Sequence, residues 1–294
     1  MNRVHRVFSL GRVTAITGNT FTGLVRLKIF YGLLLFALLL IGASVFLVQL
    51  TFQQEFQVLK DVGLGAMSIF TSLLAILATA RLLPQDIEER TAYTVLAKPV
   101  SRFEYLAGKL LGVFLLLALS LLAMAAMFFA ALYLREQSVL NETARQMSAA
   151  PPEQTADALQ AVRAAVFNTN LFSGIAVIFA KACLLAALTL FVSTFASSTI
   201  FTIIVMAFVY FIGHLQPIAR DYWLRSNAAG WLTKTFLALV ALTFPDLQSF
   251  NLTDDVVAGT SIPLAPLLKT LGMALFYCAF YLALAWAAFF RKEL

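Results

Sequence analysis

Glu88 and Glu89 stand side by side in an otherwise oily chain, and adjacent carboxylates invite an acid/base reading. Intramembrane proteases that work with paired glutamates also need membrane-embedded histidines. The two histidines here, His5 and His214, are far apart, and no H-E-x-x-H pair exists. Gly108-Lys109 ends like a phosphate-cradling G-x-x-x-x-G-K-[ST] loop, but Leu110 follows it and Phe103 occupies the first glycine position. Cys183 and Cys278 both fall inside apolar runs, where neither a structural disulfide nor a metal site is expected. No catalytic, cofactor-binding or metal-binding residue is therefore expected, and the chain is not expected to be an enzyme by itself.

What remains is chemistry of contact and passage. Lys181 is the one ionisable residue well inside a long apolar run. A charge at that depth costs about 2.5–3.5 kcal/mol or more, so it either serves a path for anionic substrate, pairs at a dimer interface, or snorkels to the headgroups. Trp223 and Trp231 mark a segment readable as an outer gate or as an aromatic interfacial anchor. The densest polar stretch is PQDIEERTAYTVLAKPVSRFEYLAGK, residues 84–109. Pro84 suits a helix start, with Asp86, Glu88 and Glu89 in the first turns, where carboxylates are favoured. Ile87, Thr91, Val95 and Leu96 recur at helical spacing until Pro99 ends the run. Ser101 and Glu104 then have capping-box spacing, which predicts a new helix from about Arg102. This insert reads either as a docking surface for a soluble partner or as a solvated connector.

The elements that must hold these residues are set by solvent. The chain is 61% apolar and 12% charged, with 27 phenylalanines in 294 residues and a mean hydropathy of +0.87, values that exclude an ordinary water-soluble domain. Crossing ~30 Å of hydrocarbon takes about 20 helical residues. Six runs qualify: 29–50, 62–83, 106–134, 171–195, 199–215 and 267–290. The stretch 231–244 is short, carries Lys234 and stops at Pro245, so it reads as re-entrant or interfacial. The expectation is an all-α integral membrane protein: residues 1–28 as an N-terminal interfacial helix or a solvated basic tail, and 29–294 as one six-helix domain. The insert is 84–105, and the outer loops are 135–170 and 216–266.

Basic residues orient it. Arg3, Arg6, Arg12, Arg26 and Lys28 precede the first run without an acid, and Arg81, Arg90, Lys98, Arg102 and Lys109 surround the insert. Both regions are expected on the cytoplasmic side, and Arg291-Lys292 after the sixth run returns the C-terminus there. In the N-terminal helix, Val4, Val7, Phe8 and Ile16 would share the apolar face while Arg3, Arg6 and Arg12 reach lipid phosphates. The net charge of +6 follows from this topology, and nucleic acid is not an expected partner.

The string IEERTAYTVLAKPVSRFEYLAGKLLG resembles the segment after the second span of ABC-2 type transporter permeases. FVSTFASS, FPDLQSFNLTDDVVAG and the terminal FFRKEL resemble the same family in the same order. The resemblance implies six transmembrane helices, an N-terminal interfacial helix, and a coupling helix that docks a separate ATP-binding subunit. It carries over to Glu88, Glu89, Arg90, Thr91, Leu96, Lys98, Pro99, Arg102, Gly108 and Lys109, with Ile87 on the same helix. Arg90 stands where many members have glycine. The implied partners are an ATP-binding subunit that holds ATP and magnesium, a second permease copy, and the lipid of a bacterial plasma membrane. The rival readings are a membrane scaffold or assembly subunit and an ion-coupled secondary transporter. One buried charge and no obvious repeat weigh against the latter.

Overall fold

A backbone in hydrocarbon has no water to bond, so helices, which satisfy their own N–H and C=O groups, are the expected answer. The computed structural model is built of them. It describes residues 8–48, 55–91, 100–148, 151–166, 170–196, 198–225, 235, 245–251 and 263–290, and among these there is no strand. In order they form α1 (Leu10–Val25), α2 (Lys28–Val48), α3 (Glu55–Ala80) and α4 (Leu82–Glu88). Then come α5 (Arg102–Gln146), α6 (Pro152–Val166), α7 (Asn170–Phe195), α8 (Thr199–Arg225), a 3-10 turn (Gln248–Phe250) and α9 (Leu264–Phe290).

Among the described residues, five stretches are long and apolar enough to cross a membrane: Lys28–Phe46, Phe56–Glu88, Arg102–Gln146, Asn170–Phe195 and Leu264–Phe290. The apolar part of α8, Thr199–Leu215, is shorter, about 26 Å at 1.5 Å per residue. At the centre is α7, which packs against α9, α3, α5, α8 and α4. Every residue from Lys181 to Leu190 is buried, as befits a helix that is apolar all round. In contrast, α8 and α9 leave Phe208, Phe211, Leu275 and Phe276 exposed, faces suited to lipid or to another helix.

Three segments depart from expectation for physical reasons. The region 135–170, expected as an outer loop, is largely helical: α5 runs on to Gln146 and α6 covers Pro152–Val166. Residues 135–146 contain neither proline nor glycine, so loss of hydropathy there marks the exit from lipid and not the end of the helix. The helix expected to start at Pro84 instead starts at Leu82. Pro84 cannot donate to the Ala80 carbonyl and its ring crowds that group, so α3 ends at Ala80 and α4 begins at Leu82 after a one-residue break at Arg81. The chain turns again directly after α4, where Arg90 takes a left-handed φ of 56°, so helix does not run unbroken from Pro84 towards Pro99. Finally, α8 stays helical to Arg225, ten residues into the expected loop 216–266.

α1 lies along the start of α5, where the helices approach at GKLLG. A Cβ on Gly108 would sit 2.8 Å from Ile16, and one on Gly112 would sit 2.7 Å from Thr20 and 3.1 Å from the Thr17 carbonyl oxygen. The absent side chains let the backbones close, and Thr17 Oγ1 donates across the gap to the Gly108 carbonyl at 3.1 Å. Replacing Gly112 by leucine should therefore cost about 1–3 kcal/mol. This would be read as a lower melting temperature of the purified protein and faster proteolysis of α1. Gly18, on the open side of α1 with nothing near its Cβ position, should tolerate alanine without loss.

Candidate functional site

Three polar groups gather where α1, α4, α5 and α9 meet. The first is the capping box expected from Ser101 and Glu104: the Ser101 hydroxyl accepts from the Glu104 N–H at 3.1 Å, and Glu104 Oε2 accepts from the Ser101 N–H at 2.7 Å. The second oxygen of the same carboxylate reaches a different helix. Glu104 Oε1 accepts from the Ser9 N–H at 2.7 Å and from Arg12 Nη2 at 2.7 Å and Nε at 3.3 Å. Glu104 is fully buried, so this charge is stable only because donors from two helices surround it. Arg12, expected to reach lipid phosphate, is committed here instead.

The second group fixes α4. Asp86 pairs with Lys109 and accepts from the Tyr105 hydroxyl, and the Lys109 ammonium lies 5.4 Å from the centre of the Tyr105 ring. Tyr105 and Lys109 are one turn apart on α5 and so present one face to Asp86. The third group ends the last helix. Arg102 Nη1 donates to the Phe289 and Phe290 carbonyls at 2.7 and 2.6 Å, satisfying groups that a helix C-terminus leaves open. Tyr105 stacks on Phe289 beside it.

Of the residues expected to dock a partner, Ile87 is half-buried while Glu88, Glu89, Arg90 and Thr91 are exposed at the tip after α4. Gln85 Nε2 donates to Glu89 Oε1 at 2.7 Å, and Thr91 Oγ1 donates to the Asp86 carbonyl at 3.3 Å, so the tip is tied back to α4. Leu96, Lys98 and Pro99 lie outside the described residues, as does Trp231. Trp223 is within helical α8, and its side chain is not among those described. Arg102, Gly108 and Lys109 face other helices of this chain.

Lys181 is 3% exposed, so its side chain stays among protein groups instead of snorkelling. Its Nζ lies 3.4 Å from Ser68 Oγ of α3, 3.2 Å from His214 Nε2 of α8, and 5.5 Å from the centre of the Tyr210 ring. His214 Nδ1 stands 2.9 Å from the Tyr210 carbonyl, which can only accept, so the proton sits on Nδ1 and Nε2 is free to accept from the lysine. No carboxylate pairs with Lys181 among the described residues. Next to this cation, an apolar cleft of about 190 Å³ between α3 and α8 includes Ser72, Ile203, Tyr210 and Phe211 in its wall. Lys181 alone was legible as a candidate; His214 and Tyr210 carried only their spacing of four, which puts them on one helix face.

Residues 53–287 match the family model described as ABC-2 family transporter protein. The match begins just before α3, so α1 and α2 precede it. No curated protein matches the chain.

The Glu104 carboxylate gives a direct test. Glu104→Gln keeps the shape but lacks the charge that Arg12 and two backbone N–H groups bind. The loss should be about 2–4 kcal/mol, from charge-assisted hydrogen bonds and a cap. A fall in melting temperature with earlier protease cleavage within residues 8–25 is the expected result. Arg12→Gln should produce a smaller fall, because Arg12 is partly exposed and the Ser9 and Ser101 bonds survive.

Proposed function

The chain belongs to the ABC-2 family of transporter proteins, and from that premise we propose that it is a permease subunit of an ATP-driven exporter, working as a pair of six-span copies with separate ATP-binding subunits. Family membership implies an ATP-binding partner in general, and the full sequence carries no phosphate-binding loop of its own. The cell address that fits is a bacterial plasma membrane with both termini inside, as the distribution of arginine and lysine suggests.

The observation that carries the coupling role is the exposed tip Glu88–Glu89–Arg90–Thr91 on a helix pinned to α5. A partner that presses on this tip pushes on α4. Through Asp86, Lys109 and Tyr105 the force reaches the base of α5, and through Arg102 it reaches the end of α9. A helix held by ion pair, hydroxyl and cap moves as a unit with its neighbours, which is what transmission of a nucleotide-driven closure requires.

The path is assigned to the cleft between α3 and α8, with Lys181 behind its Tyr210 wall. A buried cation held only by neutral partners among the described residues suits a transient anionic or strongly hydrogen-bonding group on the cargo. Trp223 and Trp231 fall in the segment proposed to close the outer end.

Purification from the native membrane should bring down an ATP-binding subunit in a fixed ratio. Charge reversal at the exposed tip, Glu88→Lys with Glu89→Lys, should release it with only a small fall in the melting temperature of the permease, because the lost Gln85–Glu89 bond is exposed and worth about 0.5 kcal/mol. Absence of any ATPase from the wild-type preparation would overturn the reading. Lys181→Met should retain the subunit and lose about tenfold in transport, whereas wild-type turnover would leave Lys181 a structural role only.

A further inference from the structure

Where α1 passes α4, a basin of about 170 Å³ opens that shares no lining residue with the cleft of the path. Its polar wall comes from Asn19 of α1, Arg81 at the α3–α4 break, Gln85 and Asp86 of α4, and Lys109 of α5. Asp86 is already answered by Lys109 and by the Tyr105 hydroxyl. Arg81 against that background is the surplus cation. Its Nε donates to Gln85 Oε1 at 3.2 Å, and its two terminal amino groups have no partner among the described residues. The apolar floor is Leu24 and Leu27, and Leu27 is flanked in the chain by exposed Arg26 and Lys28.

Leu24, Leu27 and Arg81 also border a second, narrower opening. This one holds only about 10 Å³ and runs along Ile29, Phe30, Leu74 and Leu77 between α2 and α3. It is a surface crease, not a tunnel, and Ile29 at its edge is 49% exposed. A cationic basin therefore meets an apolar crease at Arg81, with α1 alongside. We propose that this junction binds one anionic glycerophospholipid from the leaflet at the arginine-rich end of the protein. Its phosphate sits on the open fork of Arg81, and one acyl chain runs over the crease along its exposed edge at Ile29.

Three features select this occupant. A guanidinium with free terminal groups matches two phosphate oxygens at once. Basic pockets between membrane helices draw anionic headgroups from the surrounding leaflet. A soluble phosphate would leave the crease unused, and a zwitterionic lipid would bring its own ammonium to a wall that is already net positive. The site does not depend on the transporter reading, because its binding cation, Arg81, belongs to neither the tip nor the cleft, and the cleft shares only Leu77 with the crease.

The test is native mass spectrometry of the full, delipidated chain titrated with phosphatidylglycerol or phosphatidylcholine of identical acyl chains. Two variants accompany it. Arg81→Gln removes the cation. Gly23→Phe fills the basin from α1, where a Cβ meets nothing within 4 Å, so packing between helices is left intact. The expected result is one tightly held phosphatidylglycerol on the wild type, phosphatidylcholine weaker by about fivefold, and a loss of about fivefold for phosphatidylglycerol in each variant. Equal binding of the two lipids by the wild type, or full retention of phosphatidylglycerol by both variants, would overturn the proposal. So would complete displacement of the lipid by soluble glycerol phosphate at matched concentration, which would make the headgroup alone the ligand.

Discussion

One buried carboxylate organises the arginine-rich end of this molecule. Glu104 is removed from water at the first turn of α5, a position that would be costly for an unpartnered charge. Its two oxygens are divided between two tasks: one closes the start of its own helix through Ser101, and the other receives the Ser9 N–H and the Arg12 guanidinium. Once the start of α5 is set, its next residues reach the neighbours. Arg102 holds the end of α9, Tyr105 and Lys109 hold α4, and Gly108 and Gly112 admit α1. Three elements are thereby indexed to one helix terminus.

Inside the bilayer the rules change. Helices gain nothing from expelling water there, so contact depends on shape and on the few polar groups that must find partners. α7 meets this demand with small and branched apolar residues on all sides. Its buried hydroxyls bond back to their own helix, Thr189 to Leu185, Ser193 to Leu190 and Thr194 to Phe191. Lys181 is the exception, because its partners must come from α3 and α8. Side chains that could have been apolar are therefore polar at Ser68 and His214, and the cluster ties three helices together around one charge.

Runs of apolar residues revealed five helices of spanning length because a span needs its full length in lipid, while the sixth expected run, 199–215, forms a shorter apolar helix. Local chemistry was equally legible: Ser101-x-x-Glu104 announced a helix start, and that start is where the structure has it. The remainder was hidden for identifiable reasons. The partners of the second Glu104 oxygen lie 92 and 95 residues away, beyond any local pattern. Nothing about an arginine announces a left-handed backbone, so the turn at Arg90 that stops α4 could not be read. Hydropathy reports solvent and not conformation, which is why the polar continuation of α5 looked like a loop. For the candidate site, the exposure of Glu88, Glu89 and Arg90 followed from their polarity, while Thr91, expected on the less polar stripe with Ile87, is exposed as well, and the surroundings of Lys181 required the meeting of three helices.

The length of α5 has a mechanical meaning. Its 45 residues make a rod of about 68 Å, more than twice the hydrocarbon thickness. One end is clamped among α1, α4 and α9, and the other carries α6. A straight rod turns small angles at its foot into large arcs at its tip: a tilt of about 5° sweeps the far end through about 6 Å. Fractions of an ångström at the Glu104 end are thus multiplied across the bilayer by geometry alone, and the stiffness of an uninterrupted helix sets the gain.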